Sequence, residues 1–100
     1  MTPNDIYHDL RRYGRRAMLP MGHFVDLRNV VRKSNDQTAR GEANTYLDII
    51  CRINDDRAAL QAQEIAWRSD AVKYTQDTDA WGARWSAILY VRHRAAMIAA

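Results

Sequence analysis

The stretch Tyr46-Leu47-Asp48-Ile49-Ile50-Cys51-Arg52-Ile53 (YLDIICRI) carries apolar side chains around most of the circumference of a helix. Its apolar positions do not alternate with period two, as those of a half-buried strand would. A helix that is apolar on most sides must be covered by neighbours on most sides. This stretch therefore predicts the most buried helix of an all-helical domain.

Residues typical of helix ends lie on both sides of this stretch. Ser34-Asn35-Asp36 predicts a turn followed by an N-cap, which gives a helix over residues 37–53. Asn54-Asp55-Asp56 predicts a second cap, with carboxylates in the first turn of the next helix. An unbroken helix through residues 54–56 is the alternative, and we favour a break.

Two further helices are expected after this break. Residues 57–74 combine large apolar side chains with alanines that allow close helix approach. Residues 75–79 form the last turn and cap, and the final helix starts near Ala80 and runs into the alanine-rich tail. Its inward stripe is predicted to be Trp81, Trp85, Ile88 and Leu89, with Arg92 near the middle of that stripe and Tyr90 and Met97 on the opposite face.

The chain before residue 34 predicts two more helices. Thr2 and Pro3 are typical of a helix start, and an apolar stripe of Ile6, Leu10, Tyr13 and Ala17 follows. This places Arg11, Arg12, Arg15 and Arg16 across the opposite face. The segment 18–22 ends that helix, and a second helix over residues 23–33 turns Phe24, Leu27, Val30 and Val31 inward.

The composition agrees with this pattern. Apolar residues make up 47% of the 100 residues and charged residues 27%, as in ordinary globular domains, while the four glycines and two prolines leave few helix breakers. The chain is long enough for one hydrophobic core. We predict an all-α fold, a compact bundle of four to five helices around a single core, with residues 1–100 as one domain.

Several chemistries have no support in the sequence. His8, His23 and His93 are far apart along the chain, and no pair of histidines or cysteines has metal-ligand spacing. The four glycines are isolated, which argues against a phosphate-binding loop. The paired carboxylates, Asp55 with Asp56 and Asp77 with Asp79, coincide with predicted helix starts. We expect no metal, no cofactor and no enzymatic activity.

The sequence also shows no run of about 20 apolar residues that could span a membrane, and no basic-then-apolar start typical of a secretory signal. The single cysteine, Cys51, cannot form an internal disulfide and is expected to pack as a small hydrophobic residue. We therefore expect a cytoplasmic protein that does not bind membranes.

Charge is distributed unevenly along the chain. Residues 1–40 carry eight basic and four acidic side chains, net +4, whereas residues 41–100 carry seven and eight, net −1. This asymmetry predicts a macromolecular binding surface at the N-terminal side, and a solvated basic face without a ligand is the alternative interpretation. The candidate binding residues are Arg11, Arg12, Arg15, Arg16, Arg28 and Arg32.

A second candidate interface lies on the last helix. Tyrosine, methionine and arginine are enriched at protein interfaces, and the nominally exposed face of this helix carries residues of these types. The candidates are Tyr90, His93, Arg94 and Met97. A homodimer formed through this surface is one arrangement that the pattern allows, and a frayed helix end with no partner is the alternative.

These observations favour a small interaction protein that binds, and inhibits or adapts, a larger protein or ribonucleoprotein. A small basic DNA- or RNA-binding protein that contacts phosphates through the same arginines is the alternative, and naked nucleic acid ranks below protein because the net charge is only +3. In its size and its helical, motif-free character the chain resembles small accessory proteins of phages and mobile elements, including anti-CRISPR proteins and other inhibitors of host machinery.

Overall fold

The computed structural model describes His8 and residues 21–98, and it confirms the all-α fold class. Apart from His8, which is helical and exposed, the predicted helix before residue 18, with its four arginines, lies outside the described residues. Within residues 21–98 there is no β-strand, and one short 3-10 turn, Ala71–Lys73, follows the third helix. The four α-helices are α1 (Met21–Lys33), α2 (Gln37–Ile53), α3 (Arg57–Ser69) and α4 (Asp79–Met97).

Side-chain caps fix the starts of three helices. The carboxylate of Asp36 accepts hydrogen bonds from the backbone N–H groups of Thr38 and Ala39 at 2.9 and 3.2 Å. Asp56 caps α3 in the same way, and the hydroxyl of Thr78 caps α4. Each cap satisfies backbone donors that a helix start leaves without a partner. The predicted bounds of α2 and the predicted break at residues 54–56 are both confirmed.

Two boundaries differ from the prediction. The helix expected over residues 57–74 ends at Ser69, because the backbone of Asp70 leaves the helical region while its carboxylate contacts Lys73 and Arg84. The second difference concerns α1, which starts at Met21 rather than near His23. Gly22 therefore belongs to α1.

Helix α4 is the centre of the bundle and packs against α1, α2 and α3. The small residues Ala83, Ala87 and Ala95 of α4 are buried, which lets the neighbouring helices approach closely. The core takes its large side chains from all four helices. They are Phe24 and Leu27 of α1, Tyr46, Leu47 and Ile50 of α2, Leu60 and Trp67 of α3, and Ile88, Tyr90 and Val91 of α4.

The predicted inward stripe of α4 is confirmed only in part, because its four residues are all at least half-buried but α4 also buries residues outside the stripe, such as Tyr90 and Val91. Of the four predicted positions only Ile88 is fully buried, and Trp81 and Trp85 are half-buried with ring centroids 6.5 Å apart. Arg92, predicted near the middle of the stripe, is exposed. The reason is that a helix contacted by three others buries residues on several sides, so a single apolar stripe does not describe it.

A polar contact also joins the connection between α1 and α2 to the start of α4. The hydroxyl of Ser34 donates to a carboxylate oxygen of Asp79 at 2.5 Å and accepts from the backbone N–H of Asp36 at 3.1 Å. The N-terminal ends of α2 and α4 are thereby held together. No helix within residues 21–98 has the length and apolar character needed to cross a membrane.

Candidate binding surfaces

Four cations in the described part of the chain precede residue 41, and together we call them the basic surface: Arg28, Arg32 and Lys33 in the second half of α1, and Arg40 in the first turn of α2. Arg32, Lys33 and Arg40 are exposed, and Arg28 is half-buried. Arg40 lines a concavity of about 360 Å³ between α1 and α2, together with Val31, Gln37 and Asn44. The two sequence-predicted arginines of this part of the chain, Arg28 and Arg32, are thus joined by two further cations.

Three cations of the basic surface, Arg32, Lys33 and Arg40, differ from most other cations in the described part of the chain. Among the described residues, no carboxylate lies within ion-pair distance of Arg32, Lys33 or Arg40. By contrast, five later cations are ion-paired, and outside the basic surface only Arg57 and Arg92 of residues 21–98 have no ion pair. The five pairs are Arg52–Asp48, Arg68–Glu64, Lys73–Asp70, Arg84–Asp70 and Arg94–Asp55, at 2.8–3.3 Å.

The other four predicted binding residues, Arg11, Arg12, Arg15 and Arg16, lie outside the described residues. Their place relative to the basic surface therefore stays a prediction. Among the described residues, Arg32, Lys33 and Arg40 precede residue 41, and two further cations without an ion pair, Arg57 and Arg92, follow it.

A second cleft, of about 600 Å³, shares Gln37 and Gly41 of α2 with the concavity that Arg40 lines, and a buried arginine forms part of its wall. Arg84 is 6% exposed, yet its guanidinium makes four hydrogen bonds. They run to the hydroxyl of Tyr46 (2.9 Å), the carbonyl of Trp67 (3.2 Å), the carboxylate of Asp70 (2.8 Å) and the hydroxyl of Tyr74 (2.8 Å). The planar fork of arginine is suited to holding several acceptors at once.

Aromatic rings add to this arrangement, which we call the Arg84 cluster. The guanidinium carbon of Arg84 lies 5.2 Å from the ring centroid of Tyr46 and 4.9 Å from that of Tyr74, within the range of cation–π attraction. The ring of Tyr46 also meets that of Trp67 edge-on at 5.1 Å. The Arg84 cluster therefore joins α2, α3, the 3-10 turn and α4 through one side chain.

The surroundings of the Arg84 cluster shift the pKa values of Tyr46 and Asp70. Burial raises the pKa of Tyr46 far above the usual tyrosine range, and hydrogen bonds with Tyr74 and Glu42 act in the same direction. The Tyr46 hydroxyl donates to Glu42 at 2.9 Å, which favours its protonated form. A hydrogen bond from Lys73 holds the pKa of Asp70 below its usual range, and the charge of Arg84 contributes to this shift.

Sequence reasoning did not find the Arg84 cluster. Arg84 stands between Ala83 and Trp85 in an apolar helix, and its partner Tyr46 is 38 positions earlier. The nearest signal is local, since Asp70, Lys73 and Tyr74 place an acid, a base and an aromatic ring within five residues. No spacing rule connects that segment to Arg84, so only the packing of α4 brings the cluster together.

The second predicted interface is corrected by the structure. Tyr90 is fully buried and Arg94 is 6% exposed, so neither lies on an exposed face. The hydroxyl of Tyr90 donates to the side-chain oxygen of Asn54 at 3.0 Å, and Nε of Arg94 donates to the Asn54 carbonyl at 2.7 Å. These two side chains instead hold the turn between α2 and α3. His93 and Met97 are exposed, so a partner-binding role for them stays a prediction.

The carboxylate pairs also have structural partners. Asp56 caps α3, Asp55 forms an ion pair with Arg94, and Asp79 accepts from Ser34. Asp77 occupies a turn with positive φ (67°), where short polar side chains are favoured among residues other than glycine. The predicted helix-start role is therefore confirmed for Asp56, which caps α3, and for Asp79, which lies in the first turn of α4, but not for Asp55 and Asp77.

The histidines are not all as far apart in space as they are in sequence. His23 in the first turn of α1 and His93 near the end of α4 have ring centroids 5.3 Å apart, at an interplanar angle of 44°. Among the described residues no cluster of three or more histidine, cysteine, aspartate or glutamate side chains is arranged to hold a metal ion.

Comparison with protein-family models, with curated protein sequences and with solved structures found no significant match to this chain.

Proposed function

We propose that this protein is a non-enzymatic interaction protein that binds an acidic surface of a larger protein or ribonucleoprotein through its basic surface. In the described part of the chain, the cations that contact the partner in this proposal are Arg32, Lys33 and Arg40. Arg11, Arg12, Arg15 and Arg16 extend this surface on the N-terminal side in the proposal. Arg28 supports it from a half-buried position.

The observation that carries the proposal is the absence of ion pairs for Arg32, Lys33 and Arg40 among the described residues. An arginine that already contacts a carboxylate gains little from a second one, because its charge is largely compensated. An exposed and unpaired guanidinium can form a charge-assisted, bidentate hydrogen bond with a partner's carboxylate or phosphate. Complementary charge of this kind mainly sets specificity and association rate.

The proposal includes a biological role. A small helical protein that acts by occupying a surface of host machinery, as accessory proteins of phages and mobile elements do, needs a binding face and no catalytic site. The size of the chain, its lack of catalytic motifs and its basic surface support this role. Location in the cytoplasm belongs to the same proposal.

Affinity capture with charge-reversal variants tests the proposal. The variant R32E/K33E reverses two unpaired cations of the basic surface. The matched control R52E/R92E makes the same change in net charge at exposed positions elsewhere on α2 and α4. Thermal unfolding should show that both variants fold. Proteins captured from a lysate of the encoding cells are then compared between wild type and variants by quantitative mass spectrometry, at low and high salt.

We expect R32E/K33E to capture about 10-fold less of the partner than wild type, and R52E/R92E to capture as much as wild type. Equal loss in both variants, or no loss in either, would contradict the proposal. Fluorescence anisotropy with labelled DNA and RNA is run in parallel. Tight, strongly salt-dependent binding there, abolished by R32E/K33E, would instead identify a nucleic-acid-binding protein.

A further inference from the structure

The histidine pair of α1 and α4 is a feature that the basic surface does not use. His23 is half-buried and His93 is exposed, so solvent reaches the pair from one side. Neither imidazole has a hydrogen bond to any residue that the structure describes. Neither ring of the pair is therefore committed to a protein hydrogen bond within residues 21–98, and the exposed His93 can bind a ligand from solvent.

The spacing of the rings matches that of a shared metal ion. An imidazole nitrogen binds zinc at about 2.0–2.1 Å, and two imidazoles on one tetrahedral ion have ring centroids about 5 Å apart. The observed centroid distance is 5.3 Å. The observed separation is therefore compatible with one nitrogen of each ring binding the same ion.

Of the two arginines next to His93 in the chain, Arg92 is exposed and has no ion pair among the described residues, whereas Arg94 is ion-paired. Arg94, next to His93 in the chain, turns its guanidinium to Asp55 at 2.8 Å and is compensated there. The imidazole ligand type favours zinc, nickel and copper over magnesium and calcium, which prefer oxygen ligands.

We propose that His23 and His93 form a two-histidine binding site for a divalent transition-metal ion of the zinc, nickel or copper class, with water at the remaining coordination positions. The ion connects the first turn of α1 to the end of α4. Because the two histidines are 70 positions apart and meet only in the folded chain, the bound ion stabilises the folded state.

Isothermal titration calorimetry with zinc chloride and nickel chloride, on protein without an affinity tag, tests this site. His93→Ala removes an exposed ligand and should fold normally. His23→Gln removes the other ligand and keeps a polar side chain at a half-buried position. His8→Gln is the matched control, because it removes the remaining histidine of the chain. Magnesium chloride is the control ion.

We expect one zinc or nickel ion per chain and a higher thermal midpoint with the ion than with a chelator. Each variant of the pair should weaken binding by about 10-fold or more, because two linked ligands bind far more tightly than one. His8→Gln should bind zinc and nickel with wild-type affinity. Magnesium should not bind to the wild-type protein. Wild-type affinity in either His93→Ala or His23→Gln, or no saturable zinc or nickel uptake by wild type, would overturn the proposal.

Discussion

Nε of Arg84 on α4 donates a hydrogen bond to the hydroxyl of Tyr46 on α2 at 2.9 Å, and the two side chains are 6% and 3% exposed. This contact ties the two most buried helices together through polar groups. An arginine can be buried here because acceptors from α2, α3 and the 3-10 turn meet its guanidinium.

Replacing Arg84 by alanine should destabilise the protein by about 3 kcal/mol, because Tyr46, Tyr74 and the Trp67 carbonyl lose a common donor. Arg84→Lys should lose less, since it keeps the charge but lacks the planar fork. Urea unfolding followed by circular dichroism measures both. An unchanged midpoint for Arg84→Ala would show that the cluster does not stabilise the fold.

The turn between α2 and α3 should depend on Arg94. Its substitution by alanine removes the hydrogen bond to the Asn54 carbonyl and the ion pair with Asp55, at a cost of about 2 kcal/mol. Arg92→Ala is the matched control on the same helix. Because Arg92 is exposed and has no ion pair among the described residues, its loss should change the free energy of unfolding by less than about 0.5 kcal/mol. Equal effects would contradict the assignment.

Stability should fall steeply in alkali because of Tyr46 and Tyr90. Burial raises the pKa of both above the usual tyrosine range, so the folded state keeps protons that the unfolded state releases above about pH 10. The folded state then binds more protons, so its stability decreases as pH rises above that point by roughly 1.4 kcal/mol per pH unit and per tyrosine. At lower pH both states are protonated and this effect is absent.

The variant Tyr90→Phe separates the contribution of Tyr90 to this alkaline loss of stability from the contributions of other ionisable groups. At neutral pH the variant should lose about 1–2 kcal/mol, because the buried side chain of Asn54 loses the hydroxyl that donates to it. Above about pH 10 the difference from wild type should shrink, since phenylalanine has no proton to release. Urea unfolding at several pH values measures this difference. A difference that stays constant would show that Tyr90 does not resist ionisation.

Gly41→Ala should stabilise the protein by about 1 kcal/mol. Gly41 is an exposed residue inside α2, and a Cβ atom added there would meet no atom within 4 Å. Alanine therefore gains helix propensity without a steric cost. Differential scanning calorimetry should show a rise of several degrees in the midpoint. A lower midpoint would indicate that this part of α2 does not have the open surroundings described.

The local features of the fold could be predicted from the sequence. The caps at Asp36 and Asp56 act on backbone groups within three residues, so residue types next to one another are enough to place the ends of α2 and the break before α3. The inward side of α1, with Phe24 and Leu27, also follows from apolar spacing, since α1 buries mainly one side.

Only the tertiary structure decided which sides of α4 are buried. That helix contacts three others, so its surroundings depend on where those helices lie rather than on its own periodicity. Arg84 and Arg94 look like surface residues in the sequence, and their acceptors are supplied by residues 10–40 positions away. The approach of His23 to His93 has the same origin. Charged and polar side chains can be buried wherever distant partners satisfy them, and no local pattern records those partners.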